Sequence, residues 1–196
     1  GTVLLGIVIM LMVVIFGRQK NSTNSNTNSD TSSRATYAAE YDGLWRQDNG
    51  QSSVLVTATM FPPFFRSALD QAAEKTSEED QIWSTMEHMP STNIPIVMTM
   101  DSVGGSVPDK TISDSLELQA DNGAKIHFDH WTALTGTSHI VNAASGASSQ
   151  IGVAVFVADR AIDWNHPPQF RLLVKNIAGV SQREFVWTSA ALDRSS

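Results

Sequence analysis

The chain has 196 residues, a formal net charge of −7 and no cysteine. Without thiols, disulfide frameworks, thiolate zinc sites, iron–sulfur clusters, cysteine nucleophiles and C-x-x-C-H haem attachment are excluded. Residues 1–20 contribute +2, so the rest carries −9; an acidic body disfavours nucleic acid and anionic lipid surfaces, whose phosphates call for Lys and Arg clusters.

Residues 1–17 (GTVLLGIVIMLMVVIFG) carry no charge and no proline, and Arg18 and Lys20 end the run. Apolar residues on every face predict a helix surrounded by lipid. Seventeen residues at about 1.5 Å each span roughly 25 Å, slightly less than a hydrocarbon core of about 30 Å. The chain starts at Gly rather than Met, and further apolar residues upstream are expected to complete a single transmembrane anchor. A signal peptide fits less well, because no small-residue cleavage motif precedes the polar stretch. No G-x-x-x-G occurs, so helix dimerisation has no marker here. Arg18 and Lys20 are a small bias towards a cytoplasmic body. The tether and the β-rich body favour the periplasmic or extracellular side, which is the expectation adopted.

Residues 18–36 read as a flexible linker. Within 21–34 (NSTNSNTNSDTSSR), twelve of fourteen residues are Asn, Ser or Thr. So little apolar surface cannot offset ordering entropy, and the reach is about 20 Å.

Residues 37–196 are long enough for one domain with its own core. The expected fold is mainly β: an antiparallel β-sandwich, immunoglobulin-like, with a short helical insert at about 62–90. A strand is expected at 53–60 (SVLVTATM). Pro62 and Pro63 open a helix over 64–75. Thr76-Ser77-Glu78-Glu79 forms a capping box for a second helix over 78–88, stopped by Pro90. A strand at 94–103 contains Pro95, which points to a sheet edge. Residues 115–120 (SLELQA) alternate, Asp121-Asn122-Gly123 signals a turn, and 125–134 (KIHFDHWTAL) returns, predicting a hairpin. Further strands are expected at 138–143 and 151–158. Residues 170–177 and 182–188 flank Ala178-Gly179 as a second hairpin.

Candidate chemistry is sparse. His127 and Asp129 fall on one face of an alternating strand and are weak candidates for a metal pair; alternation sends His130 to the other face with Ile126 and Phe128. Asp163-Trp164-Asn165-His166-Pro167-Pro168 is a dense aromatic and polar loop. Phe61-Pro62-Pro63-Phe64-Phe65 is the most apolar patch outside the anchor, a contact surface if exposed and a core corner if buried. Ile82, Trp83 and Met86 share a helical face. No G-x-S-x-G, P-loop, dinucleotide fingerprint or H-E-x-x-H occurs, and Glu78, Glu79 and Asp80 sit where they favour a helix N-terminus.

The expected function is a non-catalytic, single-span accessory subunit of a larger membrane complex, respiratory or photosynthetic, with no cofactor of its own. Its head braces neighbouring subunits through Phe61, Phe64, Phe65, Trp83 and Trp164. Its other partner is the lipid bilayer, through residues 1–17. The alternative is a free-standing tethered module that binds a small ligand, a glycan or a metal.

Overall fold

The computed structural model describes residues 46–51, 53–63, 66, 77–103, 107–134, 139–142 and 147–188. The anchor expected at 1–17 and the linker at 18–36 lie outside these residues, and so does the helix expected over 64–75 apart from Arg66, which is helical and donates its N–H to the Pro62 carbonyl at 3.0 Å. Among the described residues no helix is long and apolar enough to cross a membrane.

The described residues are mainly β, arranged in two antiparallel sheets with two helices. The elements run β1 (Arg46–Gln51), β2 (Val54–Met60), α1 (Ser77–Met86), β3 (Asn93–Val103), α2 (Asp109–Ser115), β4 (Leu116–Ala120), β5 (Ile126–Ala133), β6 (His139–Asn142), β7 (Ala147–Ala158), β8 (Phe170–Ile177) and β9 (Val180–Trp187). The larger sheet has the order β1-β2-β3-β7-β5, and β6 also pairs with β7; the smaller has the order β4-β8-β9. β7 is the spine of the larger sheet. One edge pairs with all of β3, and the other is shared end to end by β5 and β6.

The larger sheet is buried on both faces along β2, where all seven residues are enclosed. That is why VLVTATM reads as a near-continuous β-branched run rather than an alternation. Val54, Val56, Ala58, Met60, Ile96, Met98, Met100 and Phe156 belong to one apolar cluster with Leu116, Leu118, Phe170, Leu172, Val174, Phe185 and Trp187 of the smaller sheet. Phe128 meets Phe156 edge to face, with centroids 5.7 Å apart. Ile82 and Met86 of α1 are buried in the same cluster, so the helix contributes its apolar stripe to the common core. The outward side of the smaller sheet carries ion pairs around Leu173. Arg171 pairs with Glu184 at 3.1 Å, and Lys175 pairs with Glu117.

Arg183 breaks the apolar pattern of β9. It is 1% exposed, and its guanidinium donates to the carbonyls of Ile177 (2.9 Å) and Val54 (3.4 Å). Burial lowers its pKa from the ordinary guanidinium value, yet an arginine keeps its charge. It therefore acts as a buried cationic clasp from β9 to the start of β2.

Three expectations are corrected. β3 is interior, between β2 and β7. Pro95 is tolerated because β2 ends opposite it. Met60 pairs with Ile96, and the Pro95 carbonyl accepts from Phe61 N at 3.1 Å. The N–H that proline lacks would be the return bond of that last rung, where the chain is already leaving the sheet. The second correction concerns β4 and β5, which do not form a hairpin: β4 pairs with β8 and β5 with β7. The Asp121-Asn122-Gly123 turn is real, with Gly123 at φ +74°, but it carries the chain between sheets. Asp121 exchanges two bonds with the Gln169 backbone, and Lys125 pairs with Asp159 in the same manner. A hairpin would lay the apolar positions of both strands on one side. Placing the strands in different sheets lets Leu116 and Leu118 join Ile126 and Phe128 across the core.

The third correction is to the phase of β5. Phe128 pairs with Phe156 and His130 with Val155, so Asp129 is an inserted bulge residue. β1 and α2 had no counterpart among the expected elements, and β7 starts at Ala147, ahead of the 151 expected. The β8–β9 hairpin forms as read. Ala178 (φ 53°) and Gly179 (φ 74°) make a two-residue turn with both central residues left-handed, the twist that suits a hairpin.

Candidate functional site

The aromatic positions singled out for contact have different surroundings. Phe61 is fully enclosed and belongs to the core cluster; it takes the core-corner role. Phe64 and Phe65 lie outside the described residues. Trp83, on α1, is half-buried and packs its inner side on the core. Trp164, in the β7–β8 connection, is half-buried and stacks on Phe170 with centroids 5.6 Å apart and planes at 28°.

The connection around Trp164 is shaped by Asp163. Its Oδ1 accepts the Asn165 backbone N–H at 3.0 Å, and its Oδ2 lies 3.3 Å from His166 Nδ1. These contacts, the Asn165 N–H foremost, hold the carboxyl below its ordinary pKa. An Asp that bonds the backbone two residues on forms an Asx turn, so a local sequence signal builds this loop.

The second region is the bulged strand β5. His127 pairs with Val157 and His130 with Val155. Val155 and Val157 are two residues apart on β7, so both point to one face and so do their partners. The inserted Asp129 thus brings His130 to the side that His127 occupies, whereas unbroken alternation would send it away. All three residues are exposed. Asp129 Oδ2 lies 2.7 Å from His130 Nδ1, with both side chains about half exposed, 49% and 48%. A carboxylate accepts only, so His130 donates through Nδ1, and in the neutral ring Nε2 keeps its lone pair. Among the described residues no group of three or more His, Asp or Glu is placed to hold a metal ion.

The third region, around α2, was not anticipated. Asp109 Oδ1 accepts from Trp131 Nε1 at 3.1 Å and from Gln150 Nε2 at 2.8 Å. One carboxylate oxygen therefore ties the start of α2 to β5 and β7. Trp131 lies across Gly152, whose missing side chain makes room for the indole. Proximity in three dimensions creates this knot, since Asp109, Trp131 and Gln150 stand 19 or more positions apart in the chain. Its legible trace is a glycine inside the apolar run of β7, a mark of close approach.

No protein-family model matches the chain, and no curated protein matches it.

Proposed function

We propose that this chain is a membrane-anchored, non-catalytic accessory subunit. Its β-rich head braces neighbours in a larger membrane complex, an energy-converting complex being the favoured class. The observation that carries the proposal is the organisation of the sequence: one all-apolar run at 1–17, stopped by Arg18 and Lys20, then an Asn/Ser/Thr tether and a single acidic head. The run would sit in the bilayer with the head on the outer, periplasmic or extracellular side.

The head is read as an immunoglobulin-like sandwich. The order β2-β3-β7-β5 in one sheet and β4-β8-β9 in the other corresponds, strand for strand in chain order, to the ABED and CFG sheets of a constant-type immunoglobulin domain. β1 and β6 are additions to that plan. Such a sandwich presents loops at both ends and suits a contact role, although a fold does not by itself determine function. The contact residues proposed are Trp83 and Trp164, half-buried aromatic residues that pack against the core. Aromatic anchors of this kind dominate interface energetics.

The test is extraction of native membranes in mild detergent, native-gel separation and mass spectrometry of the band that contains this chain. Co-migration at fixed stoichiometry with a larger assembly is expected. Trp83→Ala with Trp164→Ala should release the chain while its urea transition stays cooperative. Migration of the native chain alone, at monomer or dimer mass, would overturn the proposal in favour of a free tethered binding module.

A further inference from the structure

We propose that the exposed face of β5 is a binding site for one late divalent transition-metal ion of the copper(II) or zinc(II) class, with the imidazoles of His127 and His130 as its protein ligands. The proposal does not depend on the accessory-subunit reading.

The bulge is the central observation. His127 and His130 are three apart in sequence, yet they oppose Val157 and Val155, which are two apart on the partner strand. Same-face neighbours on a strand stand about 6.5–7 Å apart. An imidazole nitrogen coordinates at about 2.0–2.1 Å, so two rings tilted towards each other from that spacing can share one ion. Without Asp129 as an inserted residue, His130 would lie on the opposite face and no pair would form. Bulges are a recognised way to re-aim a side chain.

Asp129 adds the second observation. Its carboxylate takes His130 Nδ1–H at 2.7 Å. That bond fixes the ring's tautomer and leaves Nε2 as the ligand atom. A carboxylate behind a metal-binding imidazole does the same in established sites, where it also raises the basicity of the ligand. Asp129 is thereby a positioning residue rather than a third ligand. Water or a partner's side chain would complete the coordination. Both histidines are exposed, so an ion can enter without rearrangement of the fold.

The ligand chemistry selects the ion. Two neutral nitrogens suit copper and zinc; magnesium and calcium demand oxygen ligands. Copper should bind more tightly than zinc, as the Irving–Williams order requires.

The experiment titrates the untagged full chain, in mild detergent, with copper(II), zinc(II) or magnesium chloride by calorimetry. Electron paramagnetic resonance is recorded on the copper form. One copper per chain is expected, with zinc weaker and magnesium inert, and with two nitrogen donors in the copper spectrum. His127→Ala and His130→Ala should each weaken copper at least about tenfold, and Asp129→Asn about tenfold. A triple variant, His88→Ala, His139→Ala and His166→Ala, should bind as the parent does. All substitutions on β5 are at exposed positions, and circular dichroism checks that the sheets persist. Undiminished copper affinity in the His127→Ala, His130→Ala double variant would overturn the proposal. So would a parent spectrum with fewer than two nitrogen donors.

Discussion

Gly152→Ala is expected to be among the most damaging single-methyl additions in this chain. A Cβ at position 152 would stand 2.2, 2.5 and 2.7 Å from three carbons of the Trp131 indole. Gly152 pairs with Met98 of β3 and Ala133 of β5, so its backbone is held from both sides and the ring must yield. Ordinary contact begins near 3.4 Å, which calls for a retreat of about 1.2 Å. Trp131 Nε1 sits 3.1 Å from Asp109 Oδ1, and a shift of that size breaks the bond. A hydrogen bond to a carboxylate is worth about 1.5–3 kcal/mol, and overpacking a fitted site costs about 1–3 kcal/mol. Because Asp109 is exposed and the ring half-buried, the lower part of both ranges applies, and the total is about 3 kcal/mol. Urea unfolding followed by circular dichroism measures it, with an unchanged m-value confirming that the native state itself is affected. Trp131→Leu removes the ring, so Gly152→Ala added to that variant should cost less than about 0.5 kcal/mol. A loss below about 0.5 kcal/mol in the parent, or an undiminished loss in the Trp131→Leu background, would refute the reasoning, since the clash with the indole would then not be the cause.

Arg183→Ala should cost about 3 kcal/mol, through a cavity and two lost hydrogen bonds to carbonyls, whereas Arg183→Met, which refills the space, should cost about 1 kcal/mol. Equal losses in urea melts would show that volume contributes little. At the β8–β9 turn the expected sign is reversed: Ala178→Gly should stabilise by about 0.5 kcal/mol, because alanine there holds φ 53°, and Gly179→Ala should destabilise by about 1 kcal/mol. A loss on Ala178→Gly would mean that flexibility of the unfolded chain outweighs the relieved strain. Glu117, held low foremost by its bond to Lys175, and Asp163 both have depressed pKa values in the fold. A depressed folded pKa contributes stability above the unfolded value that is lost as pH falls through the folded one. Urea midpoints should therefore hold above about pH 5 and decline below about pH 4, with a shallower decline in Glu117→Gln and Asp163→Asn and in high salt, which screens exposed charges.

The strands that were legible in the sequence are those whose own side chains do the burying. β2, β8 and β9 carry β-branched and aromatic runs, and the Ala178-Gly179 pair announces its hairpin. β1 (RQDNGQ) carries no apolar residue and is a strand because the β2 backbone offers it a ladder, which no local pattern can reveal. α2 (DKTISDS) buries only Ile112 and Ser115, too little for a helical period to show. The β4–β5 connection was misread for a physical reason: turn chemistry specifies a reversal but not which sheet the next strand joins, and that choice rests on the distant pairings to β8 and β7. Within the candidate metal site, strict alternation set Asp129 beside His127 and sent His130 to the other face, whereas the bulge makes Asp129 the inserted residue and puts His130 on the side of His127. The adjacent polar residues Asp129-His130 are the one local hint of an inserted residue, because two neighbours that both seek water break a strand's alternation. The Asp109 knot depends on partners 22 and 41 positions along the chain and left Gly152 as its one trace, and the Arg183 clasp reaches Val54, 129 positions away.

The central position of β7 has a consequence for biosynthesis. β3 finds its second neighbour only among residues 147–157, and β5 and β6 find theirs in the same stretch of chain, extended by one residue to Ala158. Until the ribosome has released that segment, β1, β2 and β3 form an unfinished sheet with one long apolar margin open. Pairing of this range is slow, and an open margin invites strands from other chains. The proposed anchor on residues 1–17 would, if it holds the chain in a bilayer, collect many such intermediates at one surface. Chains truncated before residue 147 should therefore aggregate rather than remain as soluble fragments, and a chaperone that covers the β3 margin would matter most during that interval.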